Sequence, residues 1–340
     1  MYAPLSAALL ALVIGCARQE PPPPPEAGGS PPEAAETAGA DGVSGELVIF
    51  HAASLGRPFE TIEAVLEAEN PDLDVVRESS SSRVACRKVS ELGRTCDVLA
   101  TADYLLLRDM LVPDHARWYV AFARNRVVIA YSDRSKYHSE INVDNWYDIL
   151  LRDDVQYGYA EPDQAPVGYR TLLTWKLAGM HYDEPGRDLF EELLAGAPES
   201  NIRPHCNELI PLVQSLGLDY IFQYQSVARQ HNLQFLQLPP EIDLSSEKHA
   251  ELYSQVSVEL SGATRGETMT RTGAPIVYGI TVPAEADNPA AGVAFLELLM
   301  SERGNNIMEE SFQEPVVPAL TPDPGDLPEE LVKLVEEADL

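Results

Sequence analysis

Two hydrophobic periods alternate along the chain. Residues 46–51 carry the unbroken apolar run Leu47-Val48-Ile49-Phe50, the pattern of a strand covered on both faces. After Ala52-Ala53-Ser54-Leu55, residues 58–69 place Phe59, Ile62, Val65 and Leu66 on one helical face. The same alternation continues. Residues 74–78 predict a second strand, 83–92 a second helix and 97–101 a third strand, and a further apolar strand lies within 124–131. Downstream, 145–150 read as a short helix, 155–159 as a strand leading to a helix at 171–177, and 188–194 and 207–217 as helices. Residues 219–228 read as a strand and turn in which Tyr220, Phe222 and Tyr224 share one face, the spacing of core packing. Strands at 234–238 and 275–282 and a helix at 290–300, followed by a second helix, complete the pattern. Strands alternating with helices over 340 residues predict an α/β fold of two lobes.

Three strand-to-helix junctions carry the chemistry. Ser54 follows the first strand and Ser79-Ser80-Ser81-Ser82 the second; the third is Glu161-Pro162-Asp163-Gln164-Ala165-Pro166-Val167-Gly168-Tyr169-Arg170. Its prolines and glycine fix a stiff turn, which leaves N–H groups at a helix start facing outward with partial positive charge. In an open α/β sheet such junctions lie at the carboxyl ends of the strands, where ligands bind. Each serine is also an ordinary N-cap or loop residue when taken alone. Together the three junctions predict an anion cradle.

The charge narrows the partners. With 54 Asp and Glu against 24 Lys and Arg the net charge is -30, which excludes the phosphate-neutralising surface that nucleic acid requires. An anion must approach against that field, so local backbone dipoles and hydroxyls have to hold it. No His/Cys spacing suits structural zinc, and no free metal cation or cofactor is expected. Cys86, Cys96 and Cys206 are expected to be inert buried thiols, with a short Cys86–Cys96 disulfide as the alternative.

The N-terminus has its own logic. Residues 1–16 contain the run Ala7-Ala8-Leu9-Leu10-Ala11-Leu12-Val13-Ile14 closed by Gly15-Cys16, too short for a membrane span and of signal-peptide length. A small residue before cysteine resembles a lipobox, with Cys16 lipidated, although no Lys or Arg precedes the run. Residues 17–45 are rich in Pro, Ala, Glu and Gly and predict a disordered tether. The chain is thus expected to be periplasmic or at the cell surface, touching the membrane through a lipid anchor only.

At this point the chain resembles the extracellular molybdate- and tungstate-binding proteins that feed ABC transporters, most closely the tungstate-type branch. The resemblance runs in collinear order over roughly residues 46–320. It rests on Phe50-His51-Ala52-Ala53-Ser54-Leu55, the serine loop with Val84-Ala85-Cys86-Arg87-Lys88, residues 97–104, Asn145-Trp146-Tyr147, Pro166-Val167-Gly168-Tyr169-Arg170, and the segment from Asp219-Tyr220 to Ser226-Val227-Ala228. It implies the periplasmic-binding-protein fold, two lobes joined by two crossing strands with the ligand in the cleft. Lobe 1 would comprise 46–128 and 279–325, lobe 2 would be 129–278, and 326–340 an acidic tail; the crossings would lie at 127–131 and 278–282. It further implies a monomer that captures a tetrahedral oxyanion and delivers it to an ABC permease. The first-lobe ligands would be Ser54, with Ala53 beside it, and Ser81 or Ser82. The second-lobe ligands would be the N–H at Ala165 or its neighbours and the Tyr224 hydroxyl. Tyr169, Arg170, Asp163 and Gln223 would stand behind them.

Two positions depart from the branch. Where it carries a metal-reaching aspartate and glutamate, this chain has Ala165 and Gln223, neither of which supplies an anionic oxygen. Six-coordinate binding of the metal is therefore disfavoured, and a hydrogen-bonded tetrahedral oxyanion is expected. The alternative is another small anion or a carboxylated solute. An enzyme using Glu161 and Asp163 as acid and base is not expected, because no nucleophile–base pairing accompanies them. A domain that takes no ligand would show no thermal shift with any anion.

Overall fold

The computed structural model describes residues 42–262 and 268–340. The expected signal peptide, Cys16 and almost all of the expected tether lie outside the described residues. Order begins slightly before the expected boundary at 46: Val43 packs on the core and its N–H donates to Asn70 Oδ1 at 3.1 Å.

The chain builds one lobe, leaves it, builds a second and returns. Strand β1 (Gly45–Ala52) leads through a 3-10 turn at Ala53–Leu55 into α1 (Gly56–Glu69). There follow β2 (Leu73–Ser80), α2 (Ser82–Ser90), β3 (Val98–Thr101), α3 (Tyr104–Met110) and β4 (Val120–Arg124). The second lobe begins with β5 (Val127–Tyr131) and continues through α4 (Trp146–Leu150), β6 (Tyr157–Ala160), α5 (Pro166–Tyr182), α6 (Leu189–Gly196) and β7 (Ile202–Arg203). It goes on with α7 (Leu209–Gln214), β8 (Tyr220–Tyr224), α8 (Gln225–Gln230), β9 (Gln234–Gln237) and α9 (Ala250–Tyr253). A hairpin, β10 (Ser257–Ser261) with β11 (Thr268–Thr272), precedes the return through β12 (Val277–Thr281), α10 (Pro289–Met300), α11 (Glu302–Glu310), β13 (Glu314–Thr321), α12 (Glu329–Val332) and β14 (Val335–Glu337).

The first lobe holds a seven-stranded sheet in the order β14-β13-β4-β12-β3-β1-β2, the second a five-stranded sheet in the order β7-β6-β8-β5-β9. Each is parallel where strand and helix alternate: β1 pairs in parallel with β2 and β3, and β6 with β8. Each also holds antiparallel pairings, β12 with β3 and β4 in the first and β5 with β8 and β9 in the second. The unbroken apolar run of β1 is explained by cover on both faces. Leu47 and Ile49 enter one core cluster with Phe59 and Phe295, while Phe50 enters another with Ala85, Cys86 and Leu106. In the second lobe Trp175 of α5 packs edge-on against Phe222, Tyr157 and Tyr159, so Phe222 does act as a core aromatic.

Three expectations need correction. The crossings do not lie within 127–131 and 278–282. Since β4 belongs to the larger sheet and β5 to the smaller, the chain passes over at Asn125–Arg126, and it returns just before β12. Residues 326–340 are not a tail: Leu331 is buried and β14 adds to β13 in parallel. Strands β4 and β13, and the β10–β11 hairpin in what reads as a Gly/Thr/Arg loop, have no counterpart in the sequence reading, because their short or proline-containing segments carry no clean period.

The core contains one titratable group of consequence. His51 is fully buried; its Nδ1–H donates to the Ala52 carbonyl at 2.9 Å, and its Nε2 has no partner. Burial lowers its pKa from 6.5 to about 4, aided by Arg77 and Lys88 and opposed by that hydrogen bond. Folded His51 is therefore neutral, while in the unfolded chain it takes up a proton below pH ~6.5. Its contribution to stability is complete above pH ~6.5 and is lost as the pH falls toward 4, at most about 3 kcal/mol. His51→Gln should flatten the decline in urea-unfolding stability between pH 6.5 and 4; an unchanged slope would contradict this.

Candidate functional site

The carboxyl ends of β1 and β2 in one lobe and of β6 and β8 in the other face each other across a single cavity. Its wall is formed by Ala52, Ala53 and Ser54 after β1, Ser80, Ser81 and Ser82 after β2, and Ala102 after β3; from the second lobe come Ala165, Pro166 and Val167, Cys206, and Tyr224. All six residues singled out as direct ligands from the sequence are brought together there. The cavity leaves a free volume of about 20 Å³, far below the roughly 300–1,000 Å³ usual for sites of drug-sized ligands, so it suits only a small ion. No carboxylate, lysine or arginine is among the described residues of its wall.

The hydroxyls are oriented by what stands behind them. Asn125 Nδ2 donates to Ser226 Oγ at 2.8 Å and to the Tyr278 hydroxyl at 3.1 Å, while its Oδ1 accepts from Arg126 N–H at 3.0 Å. The Tyr278 hydroxyl shares a hydrogen bond of 2.9 Å with Ser54 Oγ; when the phenol donates, the Ser54 proton is left for the cavity. Ser82 Oγ accepts from the Ala102 N–H at 3.0 Å, which likewise frees its own proton. Tyr224 accepts from Arg170 Nη1 at 2.7 Å, so its O–H is a donor into the cavity as well. Burial raises the pKa of Tyr224 well above 10, against the pull of the Arg170 charge, and that of Tyr278 to about 12. Both phenols keep their protons at neutral pH.

The remaining serines divide the loop. Ser81, one of the two expected ligands of this loop, reaches across the cleft: its Oγ lies 2.9 Å from the Pro204 carbonyl and 2.8 Å from His205 Nδ1. It ties the lobes together and has no proton to spare. Ser80, not singled out by sequence reading, is 6% exposed, lines the cavity, and its hydroxyl has no partner. Which of four consecutive serines face inward depends on the residue at which β2 ends and α2 begins, a one-residue question that the pattern leaves open.

The α5 junction differs in detail from expectation. Ala165 is the N-cap, but its N–H is already given to the Glu161 carbonyl at 2.9 Å. Pro166 at the first helical position has no N–H, so the first amide of α5 able to face the cavity is that of Val167. Asp163 does not reach the site: its two oxygens hold Ser261, accepting from its N–H at 2.6 Å and its Oγ at 2.8 Å. Gln223 is buried and turned away, its amide donating to the Cys206 carbonyl at 3.0 Å and its oxygen accepting the Tyr224 N–H at 2.8 Å. Gly168 has a steric reason: a Cβ there would lie 2.3 Å from the Ala160 carbonyl oxygen.

Beneath the cavity, Tyr169 and Arg170 belong to a buried polar cluster. Arg170 also donates to the Ala102 carbonyl and pairs with Asp103 at 3.5 Å, and the Tyr169 hydroxyl donates to the other Asp103 oxygen. Burial opposes the Arg170 cation, but Tyr224, Asp103 and Tyr169 together raise its pKa. Cys86, Cys96 and Cys206 are free buried thiols, all with pKa values raised chiefly by burial. Among the described residues no cluster of His, Cys, Asp and Glu could hold a metal cation, and no helix is long and apolar enough to cross a membrane.

Two lobes joined by two crossings and a small donor-lined cavity between them define a binding architecture, and the comparisons with known proteins agree. The model of the bacterial extracellular solute-binding protein family matches residues 47–312. The chain belongs to that family. An uncharacterised solute-binding protein of Petrotoga mobilis is 43% identical over 82% of this chain and 86% of its own length. Proteins named molybdate/tungstate-binding protein WtpA are 39% identical in Pyrococcus abyssi, over 86% of this chain and 90% of theirs, and in Thermococcus kodakarensis, over 90% and 92%. Among solved structures, the Azotobacter vinelandii periplasmic molybdate-binding protein aligns with a TM-score of 0.56 at 15% identity, over 78% of this chain and 98% of its own. The sulfate-binding protein SubI of Mycobacterium tuberculosis aligns at 0.57 and 14%, over 80% and 87%. At such identities the structures speak for the two-lobe fold alone. As a member of a family of extracellular solute-binding transport proteins, the chain is a binding protein and not an enzyme.

Proposed function

We propose that this solute-binding protein captures a tetrahedral oxyanion, molybdate or tungstate, between its lobes and presents it to an ABC permease. The observation that carries the reading is a hydroxyl-lined wall without carboxylates among its described residues: Ser82 and Tyr224 have their oxygen occupied by a donor from behind, as has Ser54 when Tyr278 donates to it, which leaves O–H protons for the cavity. Ser80 and the Val167 amide at the start of α5 add further donors. A fully deprotonated dianion matches such a wall. Hydrogen phosphate carries a proton that needs an acceptor, and the wall has no carboxylate to take it. Selection among deprotonated dianions then falls to size.

The relatives named for molybdate and tungstate support this choice of ligand. With Ala165 bearing a methyl group and Gln223 committed to Cys206 and Tyr224, neither position supplies a carboxylate to expand the metal's coordination, and the bound metal keeps four oxygens. Mechanistically, a ligand that contacts both lobes binds the closed form better and shifts the population toward it. The anchor reading, with Cys16 lipidated and residues 17–45 as tether, would keep this domain beside its permease. A thermal-shift screen tests the ligand. Molybdate and tungstate should each raise the unfolding midpoint, hydrogen phosphate much less, since an anion bound to the folded state alone stabilises it by mass action. No shift with any oxyanion would refute the reading, and six-coordinate metal in X-ray absorption of the complex would refute the four-oxygen site.

A further inference from the structure

We propose that Asp103 is a positioning residue for ligand capture, the first-lobe half of a buried latch that forms only when the lobes close. Asp103 follows β3, and its side chain is 3% exposed. Its own-lobe role is modest: one oxygen caps α3 by accepting the Leu105 N–H at 3.2 Å. Every other partner of its carboxylate comes from beyond the crossing at Asn125–Arg126. Tyr169 donates to it, Arg170 pairs with it at 3.5 Å, and Arg271 of β11 stands 3.9 Å away. Arg271 is carried on the β10–β11 hairpin, which Lys176 of α5 holds through the Ser257 carbonyl at 2.7 Å.

The latch is wired to the ligand site by one guanidinium. Arg170 Nη1 holds both the Tyr224 hydroxyl and the Ala102 carbonyl, and the peptide of Ala102 in turn sends its N–H to Ser82. Asp103 thus fixes Arg170, and Arg170 aligns one donor from each lobe. When the lobes part, the carboxylate and the two guanidinium groups are solvated separately. When they close, each is stripped of water and must find the other, so a missing partner penalises the closed form and leaves the open one untouched. The inference rests on the cavity being the ligand site, but not on which anion fills it.

Asp103→Asn is the discriminating variant, because asparagine caps a helix as well as aspartate does and keeps the side-chain size. Apo thermal stability should stay close to wild type, while molybdate affinity falls on the order of a hundredfold, mostly through faster dissociation in stopped flow. Tyr169→Phe, which removes one donor and no charge, should cost about tenfold. Closure is read independently by spin labels at Leu92→Cys in the first lobe and Leu194→Cys in the second, both exposed positions, in a Cys16→Ser background; the thiols among the described residues, Cys86, Cys96 and Cys206, are buried. Asp103→Asn should lengthen the interlobe distance with molybdate present. Wild-type affinity and dissociation in Asp103→Asn, or an apo stability loss that accounts for the whole effect, would overturn the latch. If wild-type protein binds none of molybdate, tungstate or sulfate, the oxyanion reading fails, and the latch is then decided by the closed population in the apo distance distribution, which Asp103→Asn must reduce while the open distance stays unchanged.

Discussion

Arg170→Met should lower molybdate affinity by roughly two to three orders of magnitude, the largest effect expected from removing a side chain that does not touch the ligand. The guanidinium is 4% exposed and serves three groups at once: the Asp103 carboxylate, the Ala102 carbonyl and the Tyr224 hydroxyl. Removing one member of a buried ion pair typically costs about 3–5 kcal/mol, because the other charge is left without a counter-ion. Here the one cation left near Asp103 among the described residues would be Arg271, at 3.9 Å and closer to Asp109 at 3.3 Å, and Tyr224 would lose the donor that occupies its oxygen. Methionine fills the space but supplies none of these donors, whereas Arg170→Lys restores charge without the fork that reaches two partners and should recover only part of the loss. Calorimetric titration with molybdate measures both; equal affinity in Arg170→Met and wild type would show that the cluster plays no part in binding.

The second large effect is steric and has an internal control on the same helix. In Gly168→Ala the new methyl group would sit 2.3 Å from the Ala160 carbonyl oxygen and 2.8 Å from the Glu161 carbonyl carbon, both backbone atoms of the turn that forms the cradle. Neither can yield without moving the end of β6 or the first turn of α5. Strain of this kind typically costs 1–3 kcal/mol or more, here a fall of about 3–10 °C in Tm, and ligand binding should become undetectable. Gly179, also in α5, has nothing within 4 Å of its would-be Cβ. Gly179→Ala should therefore stabilise the protein by about 0.4–1 kcal/mol through lower chain entropy and better helix propensity, with binding unchanged. The opposite signs make the pair informative: thermal unfolding of both variants, with and without molybdate, would contradict the packing argument if Gly168→Ala were harmless.

Much of the molecule was legible from residue patterns, and the limits are physical. The α/β alternation appeared wherever strands were covered on both faces, as at Leu47–Phe50, or where a helix had one apolar stripe, as at Phe59, Ile62 and Leu66. Strand β13 was hidden because Pro315 and Pro318 interrupt it, and β10–β11 because the alternation is short, Val258 and Leu260 only, and the buried residue of β11 is an arginine, Arg271. The cavity residues were found because helix starts with hydroxyls and a Pro/Gly turn have a local signature. What those residues do was less accessible. That Ser81 faces His205, that Ser80 faces inward and that the Ala165 N–H is spent on Glu161 all depend on contacts across the cleft or on a one-residue phase at a helix start. Asp163, a carboxylate close in sequence to the cradle, is drawn off by Ser261 of a hairpin almost a hundred residues away, which no local pattern announces.

The hydroxyl-lined cavity is tested most directly by isothermal titration calorimetry of the full chain with molybdate, tungstate, sulfate and phosphate in turn. Saturable binding of one molybdate or tungstate per chain, with hydrogen phosphate far weaker, is the expected result; no saturable heat with any of the four, or phosphate as the tightest ligand, would contradict it.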